Sequence, residues 1–87
     1  MYKLQFANAF TQEILREEKY DGQSFILEIV DSMEQNKRDK LELFIMDNQK
    51  RILKAEFISH IIVREDDAKV YRMFFKVKAL DVKLSIR

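Results

Sequence analysis

Few side chains in this sequence have the type and spacing that catalysis or metal binding demands. There is one histidine, His60. A nucleophilic relay needs a base that orients a nucleophile and is itself oriented by a third group. His60 instead sits in the middle of an alternating apolar run, where a partly exposed strand residue is the simpler reading. Zinc sites need several Cys or His ligands, and the sequence has one His and no Cys. Glu65-Asp66-Asp67 could present carboxylates to Ca²⁺ or Mg²⁺, but three adjacent acids between two strands read as a solvated hairpin tip. Glu17-Glu18-Lys19 has the acid-plus-lysine flavour of a nuclease site without a matching upstream Asp. A phosphate-cradling loop needs several glycines, and Gly22 is the single one. The expectation is a non-enzymatic protein with no catalytic residue, no metal and no cofactor.

Composition narrows the class further. The 87 residues suit a single α+β domain over 1–87, held by its core alone because no disulfide is available. Without proline and with one glycine, no linker or internal boundary is marked. No apolar run reaches the roughly 18 residues of a membrane span, and Met1-Tyr-Lys-Leu-Gln-Phe does not read as a signal peptide. A cytoplasmic protein without membrane contact is expected. Residues 1–43 carry six basic and nine acidic groups, and residues 44–87 carry ten and six. That asymmetry fits attraction between layers of one fold better than a footprint for a charged ligand.

The elements that would position any site are read from periodicity. Two alternating runs, 51–63 and 70–79, place apolar side chains at odd positions: Leu53, Ala55, Phe57, Ile61 and Val63, then Tyr71, Met73, Phe75, Val77 and Ala79. Successive strand residues point to opposite faces, so this is a central antiparallel hairpin with one apolar face. Keeping both odd sets on one side requires odd–odd pairing, such as Ile61 with Met73. That calls for a loop of three residues (Asp66–Ala68), a loop of five (Glu65–Lys69), or a bulge. Leu41–Met46 is another strand, joined to the hairpin by an odd loop such as Asn48-Gln49-Lys50. After Ala79 the alternation inverts to Leu80, Val82, Leu84 and Ile86, which predicts a bend near Lys78–Leu80 and a last strand.

Upstream, Tyr2, Leu4 and Phe6 suggest a short first strand or extended arm. Residues 8–20 read as a helix, with Asn8 as N-cap, a stripe through Phe10, Ile14 and Leu15, and Gly22 at a left-handed C-terminal cap. Residues 24–36 fit a second helix starting at Ser24, with Phe25, Ile26, Ile29, Val30 and Met33 on one side, although Phe-Ile-Leu-Glu-Ile-Val is also rich in strand formers. The architecture predicted is α+β: two N-terminal helices packed on a four- to five-stranded antiparallel meander spanning 41–86.

The even positions of that sheet carry the functional expectation. Phe44, Met46, Ile52, Ile58, His60, Ile62, Arg72, Phe74, Lys76 and Lys78 would share one face. Ile62 would oppose Arg72, His60 would oppose Phe74, and Glu56 would oppose Lys78. A wet face should be mainly polar, and this one mixes large apolar groups with cations. Three readings follow. The face is covered by another part of the chain; or it is a protein-binding or homodimer surface; or its basic aromatic strand, 70–78, binds nucleic acid through phosphate contacts and base stacking. Glu56 and the acidic hairpin tip weigh against nucleic acid. The function expected is therefore a small protein-interaction module, a regulator or inhibitor of a macromolecular partner, acting through this face.

Overall fold

A computed structural model describes residues 1–79, so Leu80 of the bend predicted near Lys78–Leu80 and the predicted last strand lie outside the described residues. In chain order the elements are β1 (Tyr2–Asn8), β2 (Ile14–Tyr20), α1 (Ser24–Gln35), a 3-10 turn (Lys37–Asp39), β3 (Glu42–Met46), β4 (Ile52–Glu65) and β5 (Ala68–Ala79). The strands form one sheet in the order β2-β1-β5-β4-β3. Neighbours are antiparallel except β1 and β5, which run parallel, Tyr2 beside Lys69 through Asn8 beside Phe75.

The predicted layout of two helices on an antiparallel meander is thus corrected twice. First, residues 8–20 are not a helix. Ile14–Tyr20 is a strand paired with β1, from Tyr2 opposite Tyr20 to Phe6 opposite Arg16. The helix-forming run Arg16-Glu17-Glu18-Lys19 is held extended by its partners. Glu17 Oε2 accepts from Gln5 Nε2 at 3.1 Å and lies 3.6 Å from Lys3 Nζ, while Glu18 binds Arg16 and the Tyr20 hydroxyl. Tertiary pairing overrides a weak local propensity here. Asn8 does cap amides, accepting from Phe10 and Thr11 N–H at 2.8 and 3.2 Å, but it caps a hairpin turn. Phe10, placed on the predicted apolar stripe, is exposed, and Gly22 has no positive φ. Second, the sheet is mixed. Parallel pairing of β1 with β5 joins residues 67 apart in sequence and leaves no mark in local alternation.

Residues 24–35 are helical, as the stripe predicts, with Ile26 and Val30 buried. The N-cap position belongs to Gln23 rather than Ser24, and its side chain accepts the Tyr71 hydroxyl at 2.6 Å, tying the helix start to β5. The helix lies over one face of the sheet, where Leu4, Ile45, Ala55, Phe57, Tyr71, Met73 and Phe75 join Ile26 and Val30 in the core. Phe75 stacks on Phe6 and meets Phe57 edge-on, with ring centres 5.9 and 5.8 Å away. The other face, which we call the open face, carries no helix among the described residues.

Strand parity in the central hairpin is resolved by a bulge. Phe57 pairs with Phe75, but Ser59 pairs with Phe74, so Ile58 is the extra residue. Past it the register shifts by one, and a two-residue turn closes the hairpin. Asp66 and Asp67 have φ of 47° and 65°, the left-handed pair that a type I′ turn requires. The predicted three- and five-residue loops are therefore replaced by a bulge plus a tight turn. The β3–β4 loop is the expected Asn48-Gln49-Lys50, with Lys50 at φ 64° and Asp47 N–H donating to Arg51 C=O. The outer strands also approach each other at one end, curling the sheet towards a barrel. Asn48 N–H donates to Leu15 C=O at 2.9 Å, and Arg16 Nη1 donates to Met46 C=O at 3.2 Å.

Candidate functional site

The Ile58 bulge divides the predicted even face into two groups. Above it, Phe44, Met46 and Ile52 lie on the open face, with Met46 paired to Ile52 and Phe44 paired to Lys54. Their side chains are 65%, 48% and 48% exposed. Lys54, Glu56, Lys76 and Lys78 share that face, with Glu56 opposite Lys76 and Lys54 opposite Lys78. Below the bulge the odd residues Ser59, Ile61 and Val63 take the open face, opposite Phe74, Arg72 and Val70.

His60 and Ile62 are carried to the helix side instead, opposite Met73 and Tyr71. The pairings expected for them with Phe74 and Arg72 are displaced by one residue through the tight turn, and the pairing expected for Glu56 with Lys78 is displaced by two, through the turn and the bulge together, to Lys76. A single bulge inverts every side chain beyond it, and Phe-Ile-Ser in the sequence carries no Gly to announce one. The odd-face set would have found Ile61, which the even-face reading missed.

His60 is bound to the helix. Its Nδ1 lies 2.6 Å from Glu34 Oε2, while Glu34 Oε1 meets Lys37 Nζ at 3.1 Å. The His60 hydrogen bond, aided by Lys37, holds the Glu34 carboxyl below the usual carboxylate range against the opposing effect of desolvation. His60 therefore joins α1 to β4, and among the described residues its side-chain hydrogen-bond partner is Glu34.

Arg72 and Phe74 lie on the open face of β5. Arg72 Nε donates to Gln5 Oε1 at 2.7 Å and Nη2 to Glu65 Oε2 at 2.8 Å. Gln5, buried on β1, passes its amide N–H on to Glu17, so one polar chain crosses four strands from Glu65 to Glu17. The Arg72 charge is neutralised in place by this chain. Lys54, Lys76 and Lys78 line a shallow groove of about 310 Å³ together with Glu42 and Glu56, and Lys54 Nζ is 3.2 Å from Glu42. On the basic strand Arg72 is thus ion-paired, Lys76 lies opposite Glu56, and Lys78 lies opposite Lys54.

A smaller cavity of about 90 Å³ lies between the end of α1 and the sheet, lined by Met33, Lys37, Leu41, Leu43 and Phe57. Among the described residues no cluster of three or more His, Cys, Asp or Glu side chains is placed to hold a metal ion, and no helix is long and apolar enough to cross a membrane. Comparison with protein-family models, with curated proteins and with solved structures finds no match to this chain.

Proposed function

We propose that this protein is a protein-interaction module whose docking surface is the upper open face of β3 and β4. Phe44, Met46 and Ile52 are the anchors, and Lys54, Lys76 and Lys78 form a polar rim with Glu42 and Glu56. The observation that carries the reading is the exposure of three adjacent large apolar side chains on a face that the helix leaves open. Such a patch with a charged rim is the usual anatomy of a protein contact. Bound there, the module regulates or inhibits its partner by occupying the partner's surface. The absence of cysteine suits a reducing compartment, and the cytoplasm is the location we propose.

Affinity purification of the tagged chain, with and without nuclease, tests this. A protein recovered stoichiometrically in both samples, and lost with Phe44→Ala/Met46→Ala while circular dichroism stays native, is the expected result. Undiminished recovery with the double variant overturns it. The nucleic-acid alternative rests on Phe74 and the lysines of strand 70–78, and the ion pairs of Arg72 and Lys54 count against it. Its signature would be nuclease-sensitive recovery with a steep salt dependence that Lys76→Ala reduces.

A further inference from the structure

Besides the short overhang of β5 past Phe75 on its β1 side, the sheet has three free stretches of strand edge among the described residues, and they are treated differently. The β2 edge bears Arg16-Glu17-Glu18-Lys19, and charge is a standard protection of an edge against pairing with another chain. The β3 edge is five residues long, and Arg16 occupies the carbonyl of Met46 at its end. The third stretch belongs to β4. β3 pairs with Ile52–Glu56, so the outer edge of β4 is unpaired from Phe57 to Glu65 among the described residues. Its central part, Ile58-Ser-His-Ile-Ile-Val63, has no Lys, Asp, Glu or Pro, and Ile58, Ile61 and Ile62 are 39%, 41% and 50% exposed.

We propose that this edge pairs with the same edge of a second copy of the chain, giving an antiparallel homodimer with one sheet continuous across a two-fold axis. The occupant follows from the edge's own geometry. In a two-fold antiparallel pair, opposed residues must share a face, so their numbers must sum to an even value. The free stretch, from the last residue paired with β3 to the Asp66-Asp67 turn, has its midpoint at Ile61 and meets that condition without adjustment. Ile61 then faces Ile61 on the open side, Ser59 faces Val63 there, and His60 faces Ile62 on the helix side. The ladder runs from Ser59 to Val63, the regular stretch beyond the Ile58 bulge, and no two like charges are opposed in it. Shifting the centre to Ile62 would set His60 against Arg64 twice. The surface is distinct from the Phe44, Met46 and Ile52 patch, so the dimer and the docking function stand or fall separately.

Two measurements on the full chain test this. The first is sedimentation velocity over a range of concentrations, for the natural sequence and for Ile61→Lys. We expect a monomer–dimer equilibrium, with Ile61→Lys raising the dissociation constant by at least about 100-fold, since two unpaired ammonium groups would meet on the axis. The second uses the absence of cysteine. In Ile61→Cys every disulfide is intermolecular, and directly opposed strand residues have Cβ atoms about 4.5–5.5 Å apart, close to disulfide reach. Mild oxidation should give a cross-linked dimer with a native circular dichroism spectrum, well above the level seen for Asp31→Cys on the helix. A monomer at all concentrations overturns the proposal, as does cross-linking no faster than the helix control. A dimer that survives Ile61→Lys but is lost with Phe44→Ala/Met46→Ala overturns it too, and assigns the dimer to the docking patch.

Discussion

Asp47 does more for the local chain than any other acid described. It is nearly inaccessible, yet its Oδ1 accepts from the main-chain N–H of Gln49 and Arg51, and its Oδ2 from the Arg51 guanidinium at 2.7 Å. Burial by itself would raise the carboxyl's pKa. The hydrogen bonds from Arg51 and Gln49 outweigh burial and hold it below its ordinary value. A depressed folded value means that the stabilisation is present above the unfolded pKa of about 3.9 and is lost as pH falls through the folded one. We therefore expect Asp47→Asn to lower the melting temperature at pH 7 and to bring it closer to wild type as the pH approaches 2. Thermal melts followed between pH 2 and 7 check this, and a constant offset across that range would contradict it. Glu34 contributes with the same sign through His60 and Lys37.

At the scale of elements, the chain was legible where alternation or helical spacing is clean and bounded. β3, the long β4–β5 hairpin, the Asn48-Gln49-Lys50 loop and the helix at 24–35 all stand where the pattern puts them. The open apolar group Phe44, Met46 and Ile52 was legible for the same reason. β2 was not, because Glu, Lys and Arg favour helix locally and only the pairing with Lys3 and Gln5 makes a strand of them. Nor was the switch of His60 and Ile62 to the helix side, because it depends on the bulge at Ile58, a one-residue event that β-branched residues do not advertise. The turn beyond that bulge carries a measurable cost. Asp67 adopts φ 65° without glycine, and the left-handed region costs an L-residue roughly 1–2 kcal/mol, somewhat less for Asp. Asp67→Gly should accordingly raise the unfolding free energy by on the order of 1 kcal/mol in urea titrations with an unchanged m-value.

For the molecule as a whole, the decisive pairing is that of its first strand with its last described one. β1 is an interior strand of the sheet, flanked by β2 and the central β5, and its Leu4 is fully buried. Contacts 67 residues apart must close before the core is complete, which places folding among slower, topology-limited domains. The same arrangement decides how the fold bears a load. β1 begins at Tyr2 beside Lys69, and β5 runs on in the same direction to Ala79. Drawing Tyr2 and Ala79 apart slides these two strands along each other, so the rungs between them are strained together rather than opened one at a time. The β4–β5 hairpin, held instead at Leu53 and Ala79, would open like a zipper from its paired ends. Single-molecule extension should find the Tyr2–Ala79 pulling direction strong, yielding in one step, and the Leu53–Ala79 direction weak.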